Sequence, residues 1–369
     1  SRSITEHLSR TTIAVAALSI AISAAIGIGT MVSSFRQTVV DWLNYRLKAD
    51  IYASVPTNVS RFNDGTFEQW VVDSVSKMDG VRAMNIYREF QQNYNGKIFH
   101  ILAMKVQSFK HEKFLDKIAD ADKVWEMFNN EEVVIVSESF TYKNDTKIGD
   151  TLEIPTDKGL KKFPVAAVYY DYSSDIGLIF MHMKFYRKYF NDKLYSGIGV
   201  FAEKDVNIDE LADRINQKIS PKLNFIVRTN RSLINSSIEI FDRTFLITNV
   251  LQLLAIIVSF IGIFSALMAL QLEKARQFAI LRANGMTPSQ LWKLVFYQTG
   301  LMGLISGLFA LPLGNILAYI LIEMINKRSF GWTIQFYFMP SYLLEGIIVG
   351  VISALLAGIY PAYKMSKTP

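Results

Sequence analysis

The chain has 369 residues, a formal net charge of +6, 50% hydrophobic residues and no cysteine. A mean hydropathy above zero argues against an ordinary soluble enzyme, and the lack of cysteine excludes disulfides, thiolate zinc sites and cysteine nucleophiles. Residues 35–244 hold 29 of the 39 Lys and Arg and 29 of the 33 Asp and Glu. The positive surplus therefore lies beside apolar stretches, a pattern that does not fit a nucleic-acid-binding face.

The first predicted element is a membrane-spanning helix over residues 13–32, which are 20 residues without a charge. About 20 helical residues cross the hydrocarbon core of a bilayer. The alternative is a cleaved signal peptide, with Ala24 and Ala25 as small residues near a cleavage site. The length of the apolar stretch and the absence of a polar region after it favour a span.

The segment 45–240 mixes strand and helix patterns and predicts an α+β domain. Strands are expected over 50–54, 132–136, 151–154, 162–170 and 178–183, and as a pair over 81–106 that turns at Asn95-Gly96. Helices are expected over 67–78 and 111–129, where apolar residues recur at helical spacing. With no cysteine in the chain, the core alone must hold this domain together.

Fragments of metal motifs in this segment are incomplete. His111-Glu112 begins a metalloprotease helix motif, but Leu115 stands where the second histidine belongs. Asp171 and Asp175 resemble the start of a calcium loop, yet Gly177 comes one place late. We therefore predict no metal, no cofactor and no catalytic residue.

Two further patterns have ordinary structural interpretations. Gly197, Gly199 and Ala202 resemble a dinucleotide-binding fingerprint but are predicted to be turn and strand residues. An aromatic group between residues 169 and 190 could line an apolar ligand surface, although such groups more often form core.

Three more spans are predicted, over the uncharged stretches 245–272, 294–322 and 346–363. The surplus of positive charge near the spans lies before the first, between the second and third, and after the fourth, which places these segments and both termini in the cytoplasm. No charge falls within a span, which weakens any ion-coupled transporter or channel interpretation. The second span, at 28 residues or about 42 Å, must tilt or project from the bilayer.

Small residues recur at helical spacing in the spans and predict close helix packing. At least one of these stripes is expected to contact another chain or another part of a longer one. The positions are Ala17, Ala21, Ala25, Gly29, Gly303, Gly307, Gly346, Gly350, Ala354 and Gly358.

The cytoplasmic segment 273–285 predicts an amphipathic helix. Gly285 fits the left-handed position that ends a helix, and Thr287 to Gln290 matches a capping box with Pro288 at the first helical position. The chain should therefore form a helix, a tight stop and a new helix that leads into the third span.

The whole layout resembles the FtsX-like permease family, the MacB-type transmembrane subunits of ABC transporters. Matching pieces are 273–276 with 280–286, Leu311-Pro312-Leu313-Gly314 and Tyr360-Pro361-Ala362-Tyr363. Segments 31–36, 240–245 and 329–332 look more like the carboxy-terminal half of duplicated YbbP-like permeases. The resemblance implies four transmembrane helices with a large α+β extracytoplasmic domain between helices 1 and 2. The expected domains are 1–44, 45–240, 241–286 and 287–369.

By this resemblance, a cytoplasmic ABC ATPase would dock on the 273–285 segment as its coupling helix. The docking residues would be Glu273, Arg276, Gln277, Ile280, Arg282, Asn284 and Gly285. The chain itself has no phosphate-binding loop, since its only Gly-Lys pair, Gly96-Lys97, is followed by Ile98. We therefore expect a non-enzymatic permease in the bacterial cytoplasmic membrane, in contact with membrane lipids.

Cargo and completeness stay open at this stage. The family suggests a lipid, lipoprotein or peptide as cargo. A regulator that relays ATPase motion to a periplasmic protein such as a cell-wall hydrolase is the alternative, and a membrane-anchored enzyme is a third, which lacks a catalytic cluster. Because duplicated members carry further spans and residue 1 is Ser, we expect residues 1–369 to be part of a longer protein, or else to pair with a second copy.

Overall fold

The computed structural model describes residues 2–56, 65–94, 97–105, 120–273 and 280–367. These residues divide into two compact units. A helical unit holds Ser1–Gln37, Phe241–Ile325 and Ile334–Pro369, and a sheet unit holds Thr38–Ile240 and Asn326–Thr333. The short segment Asn326–Thr333, which the sequence analysis placed with the last two spans, thus belongs by its contacts to the sheet unit.

The sheet unit contains a mixed sheet of nine described strands in the order β5-β6-β4-β7-β3-β2-β8-β1-β9. The strands are β1 (Ile51–Ser54), β2 (Val81–Tyr94), β3 (Lys97–Met104), β4 (Val134–Ser137), β5 (Thr151–Thr156), β6 (Gly159–Tyr169), β7 (Ile179–His182), β8 (Gly197–Ala202) and β9 (Ile226–Thr229). Strand pairing is antiparallel except for β3 with β7 and β4 with β6, which are parallel.

Five helices lie wholly between its strands: α2 (Gln69–Ser76), α3 (Ala121–Asn130), α4 (Glu138–Asn144), α5 (Met183–Tyr189) and α6 (Ile208–Ile219). The end of helix α1 (Arg2–Arg46), the start of the helix Asn230–Glu273 and the short helix Lys327–Phe330 also belong to this unit. Alternation along the strands sends successive side chains to opposite faces. One face carries two buried clusters, of which one includes α2 and α6 and the other α5. The opposite face carries a third cluster, in which Val124 and Phe128 of α3 pack with Tyr169 and Phe180.

The predicted α+β fold is therefore confirmed for this unit. The strands predicted between residues 50 and 183 are also present. The predicted turn at Asn95-Gly96 and the first part of the predicted helix 111–129 lie outside the described residues. Helices α4, α5 and α6 and strand β9 were not predicted. Gly197, Gly199 and Ala202 lie in β8, where they serve as strand residues.

Long helices contain the four uncharged stretches. They are α1 (Arg2–Arg46), α7 (Asn230–Glu273), α8 (Pro288–Tyr319) and α10 (Pro340–Lys367). A π-helical turn, Ile320–Asn326, continues α8 into a short helix α9, Lys327–Phe330. Among the residues whose side chains are described, two helical stretches are long and apolar enough to cross a membrane, Val15–Arg46 and Pro288–Phe330, and Pro340–Leu356 is a shorter apolar helix. The count of four spans stays a prediction.

Candidate functional site

The predicted turn between the second and third apolar helices has the local geometry that its sequence specifies. Gly285 adopts a positive φ of 93°, its N–H donates to the carbonyl of Arg282, and the N–H of Met286 donates to the carbonyl of Leu281. These two bonds are the Schellman arrangement that closes a helix. No atom lies within 4 Å of where a Cβ on Gly285 would stand, so the backbone conformation alone selects glycine here.

A new helix begins at once after this stop. The Thr287 hydroxyl accepts a hydrogen bond from the Gln290 N–H, and the Gln290 side chain accepts one from the Thr287 N–H, which completes the predicted capping box with Pro288 inside the first turn. Backbone groups at both helix ends therefore find hydrogen-bond partners within the turn itself, and the turn needs no other molecule to hold its shape.

The described part of this turn presents its side chains outward. Ile280 is 55% exposed and Leu281 36% exposed, and Asn284 and Gly285 are also exposed, whereas Arg282 is half-buried. Arg276 and Gln277 lie outside the described residues, and Glu273 is the last residue of α7. Two large apolar side chains are therefore exposed at this turn.

The predicted small residues of α8 and α10 meet each other. A Cβ on Gly303 would stand 2.7 Å from Cβ of Ala354 and 2.8 Å from the carbonyl oxygen of Gly350, and a Cβ on Gly307 would stand 3.3 Å from Cα of Ile347. The two helix backbones approach so closely that larger residues do not fit. Gly358 lies against Thr299 in the same way, at 2.8 Å.

Within this chain, the first helix packs through large residues that neighbour its stripe of small residues. Leu18, Ile22 and Ile26 are buried with Ala310 and Ala354. Cβ positions on Gly314, Gly346 and Gly350 would stand 2.6–2.7 Å from these isoleucine side chains. Ala17, by contrast, is exposed, Ala21 and Ala25 are half-buried, and Gly29 is buried.

Helices α1 and α7 contact each other through residues of segments 31–36 and 240–245, which also carry the family resemblance. Nε of Arg36 donates to Oδ1 of Asp242 at 2.8 Å, and Nη2 donates to Oδ2 at 3.2 Å, a bidentate pair. The ring of Phe35 stands edge-on to Phe241 and Phe245 at centroid distances of 5.1 and 5.6 Å. These contacts lie at the edges of the predicted spans, with Phe245 as the first residue of the second span.

The sheet unit contains a second group of contacts, around Glu138, that sequence reasoning missed. The Glu138 carboxylate is 3% exposed and accepts hydrogen bonds from the N–H and the hydroxyl of Thr333, at 2.7 and 2.6 Å. Nζ of Lys327 lies 3.8 Å from the same carboxylate. The Tyr172 hydroxyl donates to the carbonyl of Thr333 at 2.7 Å.

Aromatic rings extend this contact in both directions. Trp332 stands edge-on to Tyr172, and Tyr172 stands edge-on to Trp42 near the end of α1, each at a centroid distance of 5.8 Å. Phe330 stacks on Trp332 at 5.4 Å, and the left-handed Gly331 (φ 76°) makes the turn between them. We call Asn326–Thr333 the clasp segment. Two features of the sequence could have indicated this contact. Glu138 directly follows the apolar strand β4, and Trp332 lies in a loop.

No group of three or more His, Asp or Glu able to hold a metal ion occurs within the described ranges. The incomplete calcium motif has another role, since the Asp171 carboxylate accepts bonds from the N–H and hydroxyl of Ser173 at 3.1 and 3.0 Å. This is a local turn that orders the loop between β6 and β7.

Comparisons with known proteins agree with this architecture. Residues 11–218 match the MacB-like periplasmic core domain, and residues 249–369 match the carboxy-terminal domain of FtsX-like permeases. The chain is 38% identical over 99% of its length to an uncharacterized ABC transporter permease of Mycobacterium tuberculosis, and 23% identical over 61% of its length to one of Methanocaldococcus jannaschii. It spans 43% and 57% of those two relatives.

Two solved structures are similar to about half of this chain at low identity. The periplasmic region of MacB from Actinobacillus actinomycetemcomitans is 16% identical, with a TM-score of 0.36, and covers 53% of this chain and 95% of its own. The extracellular domain of the noncanonic ABC-type transporter YknZ from Gram-positive bacteria is 13% identical, with a TM-score of 0.34, and covers 49% of this chain and 100% of its own.

The chain belongs to the family of ABC transporter permeases with a MacB-like periplasmic core domain and an FtsX-like carboxy-terminal domain. A permease of this class resides in a membrane. The resemblance stated from the sequence is thereby confirmed.

Proposed function

We propose that this chain is a permease subunit that does not hydrolyse ATP itself and is driven by a separate cytoplasmic ABC ATPase. The observation that carries the proposal is the self-contained turn at residues 280–290, which exposes Ile280 and Leu281 close to Arg282 in the chain. A partner that grips a preformed surface loses little conformational entropy on binding. The absence of a phosphate-binding loop from the sequence supports the division of labour.

The proposed topology has four spans, with both termini and the 273–290 segment in the bacterial cytoplasm and the sheet unit outside. It rests on the distribution of Lys and Arg around the apolar stretches. Cargo would be a lipid, a lipoprotein or a peptide. A second permease half or copy would complete the subunit.

Motion from the ATPase would travel through two structural connections. The Arg36–Asp242 pair and its neighbouring aromatic rings join α1 to α7, so that these helices would move together. The clasp segment follows the π-helical turn at the end of α8 and is anchored on Glu138, so that movement of the third span would reach the sheet unit. Both connections have defined hydrogen bonds, which resist sliding better than apolar packing alone.

Charge reversal tests the docking surface. Changing Arg276 and Arg282 to Glu is expected to abolish co-purification of the ATPase and to reduce permease-stimulated ATP hydrolysis at least tenfold, because like or misplaced charges at an interface repel the partner. Changing Lys364 and Lys367 to Glu alters the net charge of the predicted cytoplasmic tail by the same amount. This control variant should leave ATPase co-purification and stimulated ATP hydrolysis unchanged. Retained ATPase binding by the Arg variant would show that the docking assignment is wrong.

A charge swap tests the connection between α1 and α7. Arg36→Asp and Asp242→Arg should each reduce coupled activity severalfold, and the double variant should restore most of it, because the pair is re-formed with reversed polarity. The free energy involved is modest, about 0.5–1 kcal/mol, since both side chains are about half exposed. Coupled ATPase activity is measured with the reconstituted complex. Equal losses in the single and double variants would contradict the connection.

A further inference from the structure

The sheet unit holds a half-open cavity of about 530 Å³ that no part of the proposed function uses. Its floor is the sheet and its wall is the last turn of α1 with the residues that follow it. Small-molecule sites in proteins commonly measure about 300–1,000 Å³. The cavity therefore has the size of a ligand site.

The floor is formed by side chains that the strand register brings to one face. Asn85 and Tyr87 of β2 alternate with residues of the opposite buried cluster, and Tyr87 pairs across the sheet with Met104. Asn85 and Tyr52 both pair with Gly199, whose missing side chain lets Ala49 pack closely on the floor. A Cβ there would stand 3.0 Å from Cβ of Ala49.

The backbone of this floor has no hydrogen-bonding capacity to spare. The four strands that form it, β3, β2, β8 and β1, are neighbours within the sheet, and each has a strand on both sides. An extended peptide usually binds by adding a strand to a free sheet edge. The cavity offers side chains only, which suits an alkyl chain better than a peptide backbone.

The lining combines apolar and cationic groups. Leu102, Met104 and Phe201 supply apolar surface on the floor, and the exposed Lys48 stands at the rim, where its Nζ lies 5.4 Å from the ring centroid of Tyr45. Two acids also line the cavity: Asp171 is buried and accepts bonds from Ser173, and Glu89 is largely buried. The exposed charge at the rim is that of Lys48.

The wall includes a donor that lacks a partner. The indole Nε1 of Trp42 is buried and finds no acceptor in the described part of the chain. Trp42 lines the cavity, but its N–H is enclosed by protein atoms, so the indole ring is the part that it offers to a ligand.

We infer that this cavity binds an amphiphile with one long alkyl chain and an anionic head. The chain would lie on Leu102, Met104 and Phe201, and the head would meet Lys48 at the rim. Trp42 follows the first uncharged stretch by only ten residues, so the connected chain keeps the cavity within reach of the membrane where such molecules concentrate. The inference deepens the proposed function by naming a ligand class for the sheet unit, but it concerns binding alone.

Photocrosslinking of the full chain in lipid nanodiscs tests the inference. The probe is a 16-carbon alkyl carboxylate that carries a diazirine, and labelled peptides are identified by mass spectrometry. We expect adducts on the peptides that contain Tyr45 to Tyr52 and Leu102 to Met104. Leu102→Trp, which fills the cavity, and Lys48→Glu should each reduce these adducts at least fivefold.

Matched variants outside the cavity are Leu160→Trp and Lys204→Glu, both at exposed positions, and they should label like the unmodified chain. Lys48 is itself exposed, so its variant keeps the fold even if Leu102→Trp does not. An alcohol of the same chain length should label about fivefold less than the carboxylate.

Three outcomes would overturn the inference: adducts confined to the apolar helices, adducts unaffected by Lys48→Glu, or displacement of the probe by an apolar peptide but not by unlabelled palmitate. Because ATPase binding is not read in this experiment, failure of the docking proposal and failure of this one are distinguishable.

Discussion

Replacing Glu138 with alanine is expected to release the clasp segment from the sheet unit. The carboxylate is buried and accepts two short hydrogen bonds from Thr333, and its removal leaves the Thr333 N–H without an acceptor. Hydrogen bonds to charged groups contribute about 1.5–3 kcal/mol each, so we expect a loss of about 3 kcal/mol in the free energy that holds the segment in place.

Hydrogen exchange measures this loss at the amide concerned. A loss of about 3 kcal/mol corresponds to roughly 100-fold faster exchange at Thr333 when exchange follows local opening. Glu153→Ala is the matched control, because Glu153 makes only an exposed pair with Lys162 at 3.4 Å. If Thr333 stays protected in Glu138→Ala, the carboxylate does not hold the segment.

Measuring ATPase stimulation with the same variant shows whether the clasp segment transmits motion or is only anchored. If the clasp segment relays movement, Glu138→Ala should retain ATPase binding but lose stimulation of ATP hydrolysis by the permease. Thr333→Val, which removes only the hydroxyl, should have a smaller effect in the same direction. Normal stimulation alongside fast exchange would mean that the clasp segment is structural and carries no motion.

Replacing Gly303 with leucine should separate α8 from α10. The new side chain would begin 2.7 Å from Cβ of Ala354 and 2.8 Å from a backbone oxygen, and backbone cannot move aside as a flexible side chain can. Overpacking of this kind costs about 1–3 kcal/mol and more where backbone must shift, so we expect about 3 kcal/mol. Thermal unfolding of the full chain in detergent micelles measures the effect.

A pair of alanine variants on one helix provides the control. Gly303→Ala should destabilise the chain, whereas Gly300→Ala should be neutral or slightly stabilising, because its Cβ would make only an ordinary 3.4 Å contact with Leu355 and alanine favours helix. Ala354→Gly should partly rescue Gly303→Ala by removing the nearest atom. Equal unfolding temperatures for both alanine variants would contradict the close approach.

Local features of the fold were predictable from the sequence because their causes are local. The stop at Gly285 and the capping box from Thr287 depend on residues within five positions of each other, and both formed as predicted. Strands such as β4 follow from short apolar runs. Helix α6 also carries a readable signal, an Asn207 cap followed by Leu211 and Ile215 at helical spacing, and could have been predicted.

The features that depend on distant residues were not predictable in this way. Glu138 and Thr333 are 195 positions apart, and nothing in either neighbourhood specifies the other. Helix α1 shows the same limit within one element. Its large Ile22 and Ile26 pack where partner helices supply Gly314, Gly346 and Gly350, so the small side of each contact lies on the other helix and does not show in the sequence of α1.

The strand that enters the sheet unit after α1 and the strand that leaves it before α7 pair with each other. Strand β1, which follows α1, pairs in antiparallel register with β9, which leads without a break into α7. The side-chain amide of Asn230 donates to the carbonyls of Leu47 and Ala49 at 2.8 and 2.9 Å and ties the two connections together. An insert closed at its own base in this manner can be exchanged or redesigned in evolution, provided that the new insert keeps a partner for the clasp segment, which comes from elsewhere in the chain.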